Sequence, residues 1–99
     1  LNVGYSLMKI FFNDITHVEG LKDYIQVHLE STSKAAIVRM SMKNMEETLP
    51  ANFKRIHKSF IVNIDKVTSI KKNALLIVEQ ELPVSDSYKG IIDELLNNK

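Results

Sequence analysis

The chain has 99 residues, 44% of them hydrophobic and 25% charged, a size that builds one core and seldom two, so a single domain over residues 1–99 is expected. It has no cysteine, which excludes disulfides, thiolate nucleophiles and sulfur-ligated zinc, and its three histidines, His17, His28 and His57, are widely spread, so no metal or other cofactor is expected. The net charge of +1 is too small to announce a polyanionic partner, yet residues 54–72 hold Lys54, Arg55, Lys58, Lys66, Lys71 and Lys72 against Asp65 alone. On charge alone, a solvated lysine-rich strand pair and an anion-binding surface are equally good readings of that stretch.

Short runs rich in β-branched and aromatic residues recur along the chain: Leu7 to Phe12, Ile15 to Val18, Tyr24 to Leu29, Ala36 to Met40, Phe60 to Val62, Val67 to Ile70 and Ala74 to Val78. Turn chemistry separates them at Asn13-Asp14, Glu19-Gly20, Ser31-Thr32-Ser33, Asn63-Ile64-Asp65 and Lys72-Asn73, the spacing of an antiparallel β domain. In Tyr24 to Leu29, strict alternation sends Ile25, Val27 and Leu29 to a core and Tyr24, Gln26 and His28 to the other face. The Lys72-Asn73 pair predicts a tight hairpin in which Ser69-Ile70 faces Leu75-Leu76, with Lys71 and Lys72 at its tip.

Two stretches read as helix. Ser41 can cap a short connecting helix carrying Met42, Met45 and Leu49, and Pro50 forbids its continuation. Near the end, Ser85 can cap a second helix with Asp86 in its first turn and an apolar stripe of Tyr88, Ile91, Ile92, Leu95 and Leu96. The fold class expected is therefore mainly β, with small stacked antiparallel sheets, a short connecting helix and a C-terminal helix.

No apolar run reaches the ~20 residues that span a bilayer, and Leu1-Asn2-Val3-Gly4 lacks the parts of a signal peptide, so a cytoplasmic protein without membrane contact is expected. The start on Leu suggests a piece of a longer protein whose missing part lies upstream.

Catalytic signatures are hard to find. His57 and Ser59 are close in sequence, but no third group orients them, and Glu46-Glu47 and Asp93-Glu94 read as solvated helical faces, so no enzyme activity is expected. The segment from Phe53 to Asn63 is more informative. Its apolar residues at 53, 56, 60 and 62 suggest one side facing a core, while Arg55, His57, Lys58 and Ser59 form an array of donors suited to phosphate oxygens or base edges. Such an array serves an acidic protein equally well.

The block Phe53, Arg55-Ile56-His57-Lys58-Ser59-Phe60-Ile61-Val62-Asn63 resembles the signature of the LytTR DNA-binding domains of bacterial response regulators. Ile15, Val18-Glu19 and Asp23-Tyr24-Ile25 upstream, and Leu82-Pro83-Val84-Ser85 with Tyr88 downstream, resemble the same family in the same order, covering about residues 5 to 96. The resemblance implies sequence-specific binding of double-stranded DNA through inter-strand loops in the major groove. It places Lys22 or Asp23 at one base-reading position and Lys58 at a second. Arg55 and Ser59 then match phosphate contacts, with His57 among the donors beside them. Asp86 falls at a third base position where many relatives carry Arg, with Ser87 and Lys89 as backbone contacts nearby. A carboxylate there is repelled by phosphate unless it accepts from cytosine or caps the helix, and the cap is the better reading.

The implied partners are double-stranded DNA, an upstream receiver domain in the full-length protein, and a second copy of the chain on paired half-sites. The alternative is an interaction module that docks an acidic partner and has no DNA role.

Overall fold

The computed structural model describes residues 2–3 and 8–97. Among the described residues ten strands and two α-helices succeed one another: β1 (Asn2–Val3), β2 (Met8–Lys9), β3 (Ile15–Gly20), β4 (Ile25–Leu29), β5 (Ala36–Val38), α1 (Met42–Thr48), β6 (Phe53–His57), β7 (Phe60–Asn63), β8 (Val67–Ile70), β9 (Ala74–Ile77), β10 (Gln80–Pro83) and α2 (Gly90–Asn97). Every pairing is antiparallel. The strands form a five-stranded sheet in the order β5-β4-β3-β7-β6, a three-stranded sheet β10-β9-β8, and the pair β1-β2. The mainly β class with stacked sheets and a C-terminal helix is thus observed. Leu7, in the first predicted run, lies outside the described residues.

The five-stranded sheet is buried on both faces, which divides the interior in two. Val18, Ile25, Val27, Val38, Phe53 and Ile61 face a core closed by Met45 and Leu49 of the α1 segment. Ile56 and Val62 face a second core with Leu75, Ile77, Leu82, Val84, Ile91 and Ile92. Successive side chains of a strand point to opposite faces, so Ile61 and Val62, neighbours in β7, belong to different cores.

This corrects the expectation that residues 53, 56, 60 and 62 share one core-facing side. Phe53 lies in the first core, Ile56 and Val62 in the second, and Phe60 packs against the second. Alternation is the cause: Phe53 and Ile56 lie an odd number of residues apart and so point to opposite faces, while Ile56 shares its face with Lys54, the cross-strand partner of Val62.

Alternation in β4 is as expected. Ile25 and Val27 are buried and Leu29 packs at the margin of the same core, while Tyr24 is exposed and Gln26 and His28 are half-buried. His28 stacks on its cross-strand partner His17, ring centroids 4.1 Å apart and planes within 8°. The hydroxyl of Thr16 donates to the His28 carbonyl at 3.2 Å, so it must accept from His17 Nδ1 at 3.0 Å, which leaves His17 Nε2 as an unprotonated acceptor. Burial, with the neighbouring His28 as a second cause, lowers the His17 pKa from 6.5 to about 4.

The short helix is built as its sequence suggests: Ser41 Oγ accepts from Asn44 N–H at 3.0 Å, and the helix stops before Pro50. The Lys72-Asn73 hairpin is also found, with Lys71 N–H donating to the Ala74 carbonyl at 2.8 Å and Ile70 opposite Leu75. Asn63 acts as a junction: its Nδ2 donates to the Ile15 carbonyl at 2.9 Å and its Oδ1 accepts from Asp65 N–H at 3.0 Å.

The C-terminal helix departs from expectation. Ser85 makes no side-chain cap bond, residues Asp86–Tyr88 form a 3-10 turn, and the α-helix begins only at Gly90. Val84 N–H is held by the Asn73 carbonyl at 2.8 Å and Ser85 N–H by the Ile56 carbonyl at 3.0 Å. Those bonds keep the chain extended through Ser85, so helical turns begin only after it. Three of the described strands were not foreseen: the two-residue β1, β6, whose residues were read as a donor-bearing segment, and β10, which holds only Leu82 and Pro83 as apolar residues.

Candidate nucleic-acid interface

Residues 57–59 form the tight turn between β6 and β7, and nearly every backbone group in it is bonded inward. Arg55 Nε donates to the His57 carbonyl at 3.0 Å and its Nη2 to the Lys58 carbonyl at 2.6 Å. Ser59 N–H donates to His57 Nδ1 at 3.0 Å, which leaves Nε2 as that ring's donor position, and the ring rests edge-on against Phe60. The Ser59 carbonyl accepts from Gly20 N–H at 2.8 Å. Lys58 itself is exposed and has no partner among the described residues.

The Gly20–Ser59 bond ties this turn to the β3–β4 loop. Leu21, Lys22, Asp23 and Tyr24 are all exposed there, and Leu21 N–H closes the loop onto the Tyr24 carbonyl at 2.8 Å. Gly20 is needed for the approach of α1: a Cβ at that position would stand 2.7 Å from Met42 Cγ. Lys22, like Lys58, is without a partner among the described residues.

On the other side, Ser85 N–H is bonded to the Ile56 carbonyl, which sets the 3-10 turn and Lys89 beside β6. An open cleft lined by Glu46, Lys54, Arg55, Ser87 and Tyr88 separates this segment from α1. Asp86 is almost wholly exposed and pairs with Lys89 at 3.0 Å, so it is an ion-pair partner of its own turn and not the cap of an α-helix. Loop 20–24, turn 57–59 and segment 85–89 therefore run side by side, with the turn in the middle.

Tertiary structure also redistributes charge. Lys54 pairs with Glu94 at 3.7 Å, Arg55 with Glu46 at 2.9 Å, Lys66 with Glu30 at 2.8 Å, and Lys71 with Glu81. Of the six basic residues between 54 and 72, Lys58 and Lys72 are the two left without an acid among the described residues. The positive stretch of sequence is thus not a positive patch of the same size.

Arg39 was not among the expected contacts. It is exposed, lies 5.8 Å over the Tyr24 ring, and shares a cleft with Lys22, Asp23 and Ser41. Its placement follows from the pairing of Ile25 with Val38, a register that the polar β4–β5 connection does not reveal. Among the described residues no group of three potential ligands is placed to hold a metal ion, and no helix is long and apolar enough to cross a membrane.

The family profile of the LytTr DNA-binding domain matches residues 5–97. The chain belongs to the LytTR DNA-binding domain family. A response regulatory protein of Vibrio parahaemolyticus is 34% identical over 80 residues, covering 75% of this chain. The sensory transduction protein LytT of Bacillus anthracis is 29% identical over 103 residues, covering 97% of it. This LytTR chain spans 32% and 41% of the length of those two relatives. Its fold matches the LytTr DNA-binding domain of a protein described as a methyl-accepting/DNA response regulator from Bacillus cereus, with a TM-score of 0.80, 24% identity, and 98% and 95% of the two chains covered.

Proposed function

We propose that this LytTR domain binds double-stranded DNA sequence-specifically, presenting loop 20–24, turn 57–59 and segment 85–89 to the major groove and its flanking phosphates. The observation that carries the proposal is the wiring of the first two. One hydrogen bond joins them, each is closed by further bonds of its own, and each offers a cation, Lys22 or Lys58, with no acid to answer it among the described residues. A rigid backbone with a free ammonium at its tip is what reading a base edge between two phosphate rows requires.

In this reading Lys58 and either Lys22 or Asp23 reach bases, while Ser59, His57 through Nε2, Ser87 and Lys89 hold the backbone. Arg39, beside Lys22, joins them as a backbone contact. Asp86 and Lys89 neutralise each other, so recognition at that end is weaker than at the other two. The domain works without turnover, as the single folded output unit of a longer cytoplasmic response regulator. An upstream receiver domain brings two copies together on paired half-sites.

The test is binding to a duplex that the protein itself enriches from a randomised library, measured from about 50 to 300 mM salt. The logarithm of the affinity should fall by about 0.9 per phosphate neutralised for each logarithmic unit of salt. Lys58→Ala should cost about 1–3 kcal/mol on the enriched duplex and less on a scrambled one. A flat salt response refutes DNA binding. A docking site for an acidic protein predicts no effect of Lys58→Ala on DNA at all.

A further inference from the structure

We infer that Arg55 acts on DNA through Lys58 and not by touching phosphate: it is a positioning residue whose guanidinium, held by Glu46, fixes the direction in which Lys58 leaves the turn. The inference rests on the reading of Lys58 as a base contact and adds to it two residues with a defined task.

All three guanidinium nitrogens are engaged. Nη1 is 2.9 Å from Glu46 Oε1, Nε 3.0 Å from the His57 carbonyl and Nη2 2.6 Å from the Lys58 carbonyl, and the side chain is only 16% exposed. The His57 and Lys58 carbonyls belong to the two peptide planes that flank the Lys58 Cα. A single side chain therefore pins both planes, and with them the Cα–Cβ direction of Lys58. Ser59 N–H, in the second of those planes, is bonded to His57 Nδ1, which holds it from the other edge.

Only a planar fork with several fixed donors reaches two successive carbonyls and a carboxylate together, which an ammonium does not. Three of its five N–H donors are committed, so a phosphate would meet at most the two that remain, on a mostly buried guanidinium already paired with Glu46. Glu46 stands on α1, which packs on the same face of the sheet as Arg55, whose cross-strand partner Ile61 lies in the α1 core. The acid that reads in sequence as part of a solvated face thus serves as the brace of the turn.

The experiment uses the 99-residue chain, the self-enriched duplex and a scrambled duplex of equal length, with circular dichroism confirming the fold of each variant. Arg55→Lys and Arg55→Gln are both expected to lose about ten-fold on the enriched duplex, with little change on the scrambled one and an unaltered salt slope. A phosphate contact predicts the reverse. Arg55→Gln would then weaken both duplexes equally and flatten the slope by about 0.9, and Arg55→Lys would retain most of the affinity; either result overturns the inference.

Should the Arg55 variants fail to fold, Glu46→Gln decides. A fall in the ratio of enriched to scrambled affinity supports the brace, whereas stronger binding to both duplexes with a steeper slope and an unchanged ratio overturns it. If Arg55→Lys loses discrimination while Lys58→Ala does not, the brace stands without its cargo and the inference fails. If the unsubstituted chain binds neither duplex, DNA binding itself fails, a result distinct from any variant's behaviour.

Discussion

Acidification should destabilise this domain through His17. The ring is 3% exposed, its Nδ1 proton is committed to Thr16, and its pKa is lowered from 6.5 to about 4 by burial and, secondarily, by His28. In the unfolded chain the same imidazole takes up a proton near pH 6.5, while in the folded protein it resists until about pH 4. Stability is therefore full above pH 6.5, falls as the pH drops from 6.5 towards 4, and levels off below, a total of about 3 kcal/mol from this one group. That is a large share of the roughly 5–15 kcal/mol that hold an ordinary domain together. The assay is urea unfolding followed by circular dichroism at pH 7, 6, 5 and 4, for the unsubstituted chain and for His17→Phe. Phenylalanine keeps a flat ring against His28 and cannot titrate, so its stability should fall less over this range by about 3 kcal/mol. Parallel decline of the two proteins from pH 7 to pH 4 would refute the reasoning.

Other perturbations have simple expectations. Val78 occupies a left-handed conformation with φ of 56° between β9 and β10 and is half exposed, so Val78→Asn should stabilise by about 1 kcal/mol, read as a higher urea midpoint. Asn63→Ala removes a donor from the Ile15 carbonyl and an acceptor from Asp65 N–H at a site 1% exposed, which should cost about 2–4 kcal/mol and lower the melting temperature accordingly. Gly90→Ala meets nothing within 4 Å at the start of α2 and should raise thermal stability by about 0.5 kcal/mol.

Local chemistry was readable wherever a feature depends on neighbours in the chain. Ser41 and Pro50 delimit α1 because a cap and a missing N–H act within one turn. The Lys72-Asn73 hairpin and the alternation of Ile25 with Val27 follow from turn chemistry and the pleat. The block from Phe53 to Asn63 sufficed to place the chain in its family, and with it Lys58 at the centre of the candidate site.

Partnership across the fold was not readable. Nothing local says that Glu46, Glu94, Glu30 and Glu81 would neutralise four of the six basic residues between 54 and 72, because each pair joins residues from different elements or opposite strands. The start of α2 at Gly90 depends on Asn73 and Ile56 holding Val84 and Ser85 extended, far from the helix in sequence. By itself, then, the sequence determined most of the strands, the short helix, the family and the residues proposed to meet DNA, since propensity, capping and pattern act over a few residues. Only the tertiary structure decided which cations remain free and which way they point, since charge pairing and backbone bracing act through space.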